Sequence, residues 1–147
     1  MKPVLLDTGV IVALLDRDER AHERCVAVLT GLGARLVTCE AVIAEACYLL
    51  RAVPGAPEAI LRNVAEGIFE IPIPLIEQAE SVGRLLGKYR DLPMDLADAC
   101  LVDLADRLDT PRILTLDEDF VVYRWRRRRA FDLILASPGR ERSRRRR

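Results

Sequence analysis

The sequence has 147 residues, half of them hydrophobic, which is enough for one buried core and typical of a single domain. Its formal net charge is zero, but residues 124–147 hold 11 of the 23 basic side chains and 2 of the 23 acidic ones, which leaves 12 against 21 in residues 1–123. An acidic body therefore carries a basic C-terminal segment. No apolar run reaches the roughly 18 residues of a membrane span. The N-terminus lacks a signal-peptide pattern, so we expect a cytoplasmic protein with no membrane partner.

Several residue types that catalytic sites often use are scarce. His22 is the only histidine and there are three serines, so the sequence offers very few residues that could form a Ser-His-Asp triad or a histidine-rich metal site. The four cysteines show no CxxC spacing and lie in apolar helical patterns, which predicts buried, reduced thiols. Any catalytic chemistry must therefore come mainly from carboxylates.

In chain order, short apolar runs alternate with stretches of helical spacing. We predict a strand at 4–6, helices at 10–15 and 19–31, a strand at 36–37, helices at 39–50 and 57–66, a strand at 68–73, helices at 75–90 and 95–108, and strands at 112–116 and 131–135. Thr38 is a suitable N-cap for the third helix. The alternation predicts one α/β domain, with a mostly parallel sheet and helices on both of its faces.

Two of the predicted strands end in an aspartate. Asp7 follows Leu5-Leu6, and Asp117 follows Thr115-Leu116. Because sites in open α/β sheets form beyond the carboxyl ends of the strands, the two acids can share one crevice. Each can also be an ordinary turn or N-cap aspartate, and the sequence leaves both interpretations open.

The helix that contains Glu45 has one apolar arc, formed by Val42, Ile43, Ala46, Leu49 and Leu50. At roughly 100° per residue, Glu45 lies on the flank of this arc and Glu40 lies opposite it. A carboxylate at the edge of a buried face is costly without compensation, which favours a metal or a basic partner for Glu45. The alternative is a boundary residue that reaches back to water.

The helix that begins near Asp95 repeats this pattern. Asp98 lies beside its core face, whereas Asp95, Asp103 and Asp106 are predicted to point the other way. Asp95 is also a suitable N-cap, with Asp98 three residues later. The alternative for this pair is therefore that the two side chains only cap the N-terminus of the helix.

Carboxylates that lie close together repel one another and raise their own pKa values unless cations neutralise them. Oxygen ligands without histidine or cysteine favour Mg²⁺ or Mn²⁺. Such ions can activate water and stabilise the leaving oxygen of a phosphodiester, so phosphodiester hydrolysis is the predicted chemistry.

Four segments in this order carry a family resemblance: Leu5-Leu6-Asp7-Thr8, Ala44-Glu45, Leu96-Ala97-Asp98-Ala99 and Leu114-Thr115-Leu116-Asp117-Glu118-Asp119-Phe120. Together they resemble the PIN-domain family, and within it the VapC-like toxin ribonucleases of bacterial toxin–antitoxin pairs. The resemblance implies a three-layer α/β/α PIN-like fold with a central, mostly parallel sheet. We assign this nuclease domain to residues 1–137 and a basic tail to residues 138–147.

The resemblance also implies a metal site formed by four carboxylates: Asp7, Glu45, Asp98 and Asp117. The implied ion is Mg²⁺ or Mn²⁺, with Asp7 and Asp98 as its principal ligands. Four other side chains are implied as accessories: Thr8, Asp95, Thr115 and Asp119. The two threonines can hydrogen-bond a ligand, a bound water or the phosphate. For Asp119 we favour a surface role, because Phe120 beside it is expected to pack inward.

The activity implied by the resemblance is endonucleolytic hydrolysis of RNA. The implied partners are an RNA substrate, a cognate antitoxin that inserts a segment into the site, and a second copy in a homodimer. Five arginines between the last two predicted strands can grip the RNA backbone: Arg124, Arg126, Arg127, Arg128 and Arg129. A solvated loop is the alternative for them.

Three other functions are alternatives to RNA hydrolysis for this sequence. Asp7-Thr8-Gly9 also resembles the aspartic-protease signature, but those proteases resemble all-β folds, and the other acids would remain unexplained. A phosphatase built on a strand-end aspartate normally has another acid two residues later, where this chain has Gly9. The non-enzymatic alternative is an inactive PIN-like module for RNA binding or assembly.

Overall fold

A computed structural model describes residues 2–135, so the predicted basic tail at 138–147 and the domain boundary before it lie outside the described residues. The strands are β1 (Val4–Leu6), β2 (Leu36–Val37), β3 (Phe69–Glu70), β4 (Arg112–Thr115), β5 (Arg124–Trp125), β6 (Arg129–Ala130) and β7 (Asp132–Leu135). The helices are α1 (Thr8–Leu15), α2 (His22–Leu32), α3 (Glu40–Leu49), α4 (Ala56–Ala65), α5 (Leu75–Lys88) and α6 (Leu96–Leu108), and a short 3₁₀ helix spans Glu118–Val121.

The central sheet has five strands in the order β3-β2-β1-β4-β7, and every neighbouring pair is parallel. In its middle, Leu5 pairs with Val37 on one side and with Ile113 on the other. Helices pack against the sheet and against one another, with α1 contacting β4 and α6 contacting β1. The predicted α/β fold with a mostly parallel central sheet is confirmed.

The core lies on both faces of β1. Val4, Leu5 and Leu6 are all fully buried, which explains why this strand is a continuous apolar run with no alternation. Cys25, Cys39 and Cys100 are buried free thiols and Cys47 is half-buried, as predicted for cysteines that behave as small apolar residues.

One prediction for α6 was wrong. Asp103 does not point away from the core, because α5 packs across that side of the helix and leaves the carboxylate only 3% exposed. Its two oxygens accept hydrogen bonds from Gln78 Nε2 (3.0 Å), Ser81 Oγ (2.7 Å) and Arg107 Nε (2.7 Å). The buried charge is therefore compensated by a charged partner and two neutral donors.

The N-cap predicted for α3 was wrong. Thr38 does not cap α3, whose N-cap is Cys39; instead its hydroxyl donates to the carbonyl of Leu6 (2.9 Å) and its backbone N–H to that of Glu70 (2.8 Å). These bonds tie β2 to both of its neighbours.

Within residues 2–135, no helix combines the length and apolar character that a membrane span requires.

The segment predicted as a loop between the last two strands contains a second, antiparallel sheet. In this sheet β5 and β6 form a hairpin, with Trp125 paired to Arg129. Arg126 and Arg127 occupy the turn with φ of 46° and 69°, a left-handed conformation that side chains other than glycine adopt at a cost.

Candidate active site

The carboxyl ends of β1 and β4 meet because the two strands are parallel neighbours. Beyond them lies an open pocket of about 270 Å³. Six carboxylate side chains line it: Asp7, Glu45, Asp95, Asp98, Asp117 and Asp119. Among the described residues, none that lines this pocket is basic. The structure thus gathers all four carboxylates implied as metal ligands, together with both acidic accessories.

Asp7 stands at the junction of β1 and α1 and is only 6% exposed. Its Oδ1 accepts a hydrogen bond from the backbone N–H of Thr8 (2.8 Å), and its Oδ2 accepts one from the Thr115 hydroxyl (2.7 Å). Burial raises the pKa of Asp7 to about 6; these hydrogen bonds oppose the rise, and the charges of Asp117 and Glu45 add to it. Asp7 is therefore both an N-cap and a constrained pocket acid.

Asp98 lies one turn into α6 and is 7% exposed. It forms a capping box with Asp95, because the Asp98 N–H donates to Asp95 Oδ1 (2.8 Å) and the Asp95 N–H donates to Asp98 Oδ2 (3.3 Å). Burial is the largest cause that raises the pKa of Asp98 to about 8, and the negative charges of Asp95, Asp7 and Asp117 contribute to the same rise. Both interpretations of the pair hold: it starts the helix, and it faces the pocket.

Glu45 reaches the pocket from α3, where its side chain is largely exposed. The Thr8 hydroxyl donates to Glu45 Oε2 at 3.3 Å, which links α1 to α3 across the pocket. Partial burial raises the pKa of Glu45, and the charges of Asp95 and Asp117 raise it as well. The predicted apolar arc of this helix was wrong at Leu49, which is 52% exposed and lines the pocket at the end of α3.

Asp117 and Asp119 come from the turn after β4. The Thr115 hydroxyl accepts from the Asp117 N–H (2.9 Å), and Asp117 Oδ1 accepts from the Asp119 N–H (2.9 Å) at the start of the 3₁₀ helix. Phe120 is fully buried, as expected. Asp119 is half-buried and lines the pocket beside the other acids, and whether its role is accessory or only at the surface stays a prediction.

The arginines predicted to bind RNA lie outside this pocket. Arg124 uses its Nη1 to donate to the carbonyls of Val121, Val122 and Tyr123, at 2.7 to 3.2 Å. This guanidinium therefore closes the end of the 3₁₀ helix.

The other four arginines belong to the hairpin and are exposed. Arg126 pairs with Asp109 (Nη2 to Oδ1, 3.0 Å), and both Arg126 and Arg129 lie over the Trp125 ring. Arg127 lines a separate groove between the hairpin, α5 and α6, which also contains the basic residues Arg84 and Lys88.

The pocket fits a hard divalent cation by its chemistry. Its charged donors are carboxylate oxygens, the ligands that hard divalent cations prefer, and a bound cation would neutralise acids such as Asp7 and Asp98, whose pKa values burial raises. Within residues 2–135, no three acidic, histidine or cysteine side chains stand close enough together to enclose an ion by themselves. The arrangement is open and suits an ion that keeps part of its water shell, as Mg²⁺ does.

One polar group at this site was not predicted from the sequence. The Tyr123 hydroxyl donates to Asp98 Oδ2 at 3.4 Å, although Tyr123 itself does not line the pocket. A tyrosine three residues after a buried phenylalanine is unremarkable in sequence, so no pattern identified it.

The chain is similar to a known protein family, to a ribonuclease and to a solved toxin structure. A family model described as the PIN domain matches residues 4–126. Ribonuclease VapC26 of Mycobacterium tuberculosis (strain ATCC 25618 / H37Rv) is 34% identical over 116 residues, which cover 78% of this chain and 86% of that protein. The crystal structure of Mycobacterium tuberculosis VapC20, described as a sarcin-ricin loop cleaving toxin, superposes with a TM-score of 0.68 at 14% identity, over 75% of this chain and 86% of that one.

The structural match supports the fold, and the family match and the identity to VapC26 agree with it. The resemblance inferred from the four acidic segments is therefore confirmed, and this chain belongs to the PIN-domain family.

Proposed function

We propose that this protein is a metal-dependent endoribonuclease that acts as the toxin of a toxin–antitoxin pair. The observation that carries the proposal is the pocket beyond β1 and β4, where, among the described residues, six carboxylates meet without a basic side chain and three of them have raised pKa values. The identity to a ribonuclease of the VapC group supports RNA as the substrate.

Asp7 and Asp98 are the proposed principal ligands of Mg²⁺ or Mn²⁺, and Glu45 and Asp117 complete the set. Such an ion, when bound, supplies an activated water and stabilises the leaving oxygen of the phosphodiester. The protein's own contribution is orientation. Thr115 and the Thr8 N–H each hold one oxygen of Asp7, so this carboxylate has a fixed direction before any ligand arrives.

The acids also determine how RNA can approach. Six carboxylates repel a phosphate, so the cation and basic side chains outside the pocket both favour substrate binding, and the basic side chains can act without the cation. Arg127 and Arg128 are the proposed backbone contacts, because both are exposed at the hairpin turn and Arg127 shares its groove with Arg84 and Lys88. Arg124 is bound to three carbonyls and is less available to RNA.

A double variant tests the hairpin contacts. In an inactive Asp98→Asn background, Arg127→Gln with Arg128→Gln should weaken RNA binding and flatten the plot of log affinity against log salt by about 2, roughly one for each lost phosphate contact. Fluorescence anisotropy at several salt concentrations measures this slope. Arg17→Gln with Arg20→Gln, an equal loss of charge at exposed positions before α2, is the matched control. Equal slopes for the two double variants would exclude a specific role for the hairpin.

A cognate antitoxin, a homodimeric assembly and a cytoplasmic location are proposed on the same family grounds. The antitoxin would reach the acidic pocket with a segment that carries a positive charge, since all the charged side chains among the described residues that line the pocket are negative. Light scattering of the purified chain tests the dimer: a monomeric mass at micromolar concentration would exclude it.

Cleavage assays with structured cellular RNAs test the activity itself. We expect discrete cleavage products with Mg²⁺ or Mn²⁺, none with EDTA, and recovery when excess metal is restored. Cleavage that persists in EDTA would contradict the mechanism. Metal binding without cleavage of any RNA tested would favour the alternative, an inactive PIN-like module.

A further inference from the structure

Tyr123 is a polar side chain in an apolar position. It is 1% exposed and lies between the 3₁₀ helix and β5. Its ring packs edge-on against Phe120 (5.2 Å between centroids) and Tyr89 (5.4 Å). These contacts fix the ring, so the hydroxyl at its end has a defined direction.

That hydroxyl donates to Oδ2 of Asp98, one of the acids that line the pocket. A tyrosine hydroxyl, with an ordinary pKa of about 10, keeps its proton at neutral pH, so Tyr123 acts toward Asp98 as a hydrogen-bond donor.

The backbone that carries Tyr123 is held as firmly as its ring. Arg124 Nη1 donates to the carbonyl of Tyr123 (3.0 Å) and to those of the two residues before it. The arginine that the sequence suggested as an RNA contact thus stabilises the turn that presents the phenol.

The hydrogen bonds to Asp98 fall on one side of its carboxylate. Within the described residues, Oδ2 accepts from the Asp95 N–H and from Tyr123, and no donor is found for Oδ1. Such an arrangement fixes the plane of the carboxylate and leaves one oxygen for a ligand.

We propose that Tyr123 is a positioning residue that holds Asp98 in the orientation needed to bind a divalent cation. The inference rests on the proposed function, because it takes Asp98 as a ligand of that cation. Partners of metal ligands typically change metal affinity by 10–100-fold when removed. We expect Tyr123→Phe to weaken Mn²⁺ binding by about 10-fold, toward the lower end of that range, since the Asp95 N–H still holds Oδ2.

Titration calorimetry with Mn²⁺ alone tests the inference on the metal-free protein. Tyr89→Phe is the matched control: it removes a phenol hydroxyl from the same aromatic cluster, but one that contacts Arg124 and not a pocket acid. We expect Tyr89→Phe to bind Mn²⁺ within about twofold of the unaltered protein. Thermal unfolding of both variants must show folded protein at the titration temperature.

Two results would overturn the inference: unchanged Mn²⁺ affinity in Tyr123→Phe, or equal losses in Tyr123→Phe and Tyr89→Phe, which would mark a general packing defect. RNA cleavage gives a second readout, because a positioning role predicts that saturating Mn²⁺ restores most of the Tyr123→Phe activity, whereas a packing defect would not respond to metal. Asp98→Asn separates the two proposals. If it binds Mn²⁺ normally, the proposed metal site fails; if it loses binding while Tyr123→Phe does not, only the inference fails.

Discussion

Asp98→Asn is expected to abolish RNA cleavage, by about 10³-fold or more, and at the same time to stabilise the metal-free protein at alkaline pH. Asparagine keeps the size of the side chain but cannot supply the negative charge that a cation needs. Asp98 is buried beside three other acids, so its charge is a cost to the fold when no cation is present. Loss of function and gain of stability should therefore occur in the same variant.

The sign of the stability effect follows from the pKa. The folded protein raises the pKa of Asp98 from 3.8 to about 8, so it binds this proton more tightly than the unfolded chain does. The contribution to stability is therefore full below about pH 4 and is lost as the pH rises through 8. At pH 8.5 in EDTA, Asp98→Asn should melt about 3 °C or more above the unaltered protein, with little difference at about pH 4.

Thermal unfolding followed by circular dichroism measures this difference. Asp91→Asn, at an exposed acid outside the pocket, is the control for a simple change in net charge. A lower melting temperature for Asp98→Asn than for the unaltered protein at pH 8.5 would contradict the account of the pocket. Retained cleavage would contradict the assignment of Asp98 as a ligand.

Metal binding should strengthen steeply with pH. Asp7 and Asp98 must both lose their protons to bind a cation, and their pKa values are raised to about 6 and about 8. Between pH 6 and pH 8, competition between the metal and the proton of Asp98 is enough by itself to raise the apparent Mn²⁺ affinity by up to about 100-fold. Asp7 adds a smaller increment near the lower end of this interval.

The rise in melting temperature on adding Mn²⁺ measures this dependence, since a ligand that binds only the folded state stabilises it by RT times the logarithm of one plus the ratio of ligand concentration to Kd, which grows as the affinity increases. We expect a larger rise at pH 8 than at pH 6, and little rise for Asp98→Asn at either pH. An effect of Mn²⁺ that is the same at both pH values would indicate ligands other than these two acids.

Much of the site could be predicted because its residues occupy positions with strong local signals. Asp7 and Asp117 follow apolar runs that pair as parallel neighbours, so their proximity follows from the topology of the sheet. Asp98 is marked by its place beside the core face of α6, and the four acidic segments together match the PIN-domain family. The fold class and the shared pocket needed nothing beyond these patterns.

Contacts between distant elements could not be predicted in this way. The burial of Asp103 depends on how α5 crosses α6, and the hydrogen bond from Tyr123 to Asp98 joins two segments 25 residues apart. Helical spacing identifies the faces of a helix but not which neighbour covers them. Asp103 was therefore assigned to solvent, and Tyr123 was not assigned at all.

The hairpin was missed for a different reason. Its turn lacks the Asn-Gly or Asp-Gly sequence typical of tight hairpins and places Arg126 and Arg127 in the left-handed region. Each such residue costs about 1 kcal/mol or more. Asp106, which accepts from the Arg126 N–H, and Asp109, which pairs with its guanidinium, offset that cost through contacts invisible in the local sequence.

The fold also decides between the alternatives raised by the sequence. An aspartic protease resembles an all-β fold, whereas Asp7 follows a strand of an entirely parallel sheet covered by helices. Asp7 also has two fixed donors and three nearby acids rather than one partner that shares a proton. The protease alternative is therefore excluded, and the inactive module is left to the cleavage assay.

Diffraction from crystals grown with Mn²⁺, recorded where manganese scatters anomalously, tests the central claim most directly. We expect an anomalous peak about 2.0–2.3 Å from carboxylate oxygens of Asp7 and Asp98, with Glu45 or Asp117 bound directly or through water. A peak held by other residues, or an empty pocket in crystals of protein that cleaves RNA with Mn²⁺, would contradict the claim that these carboxylates hold the catalytic metal.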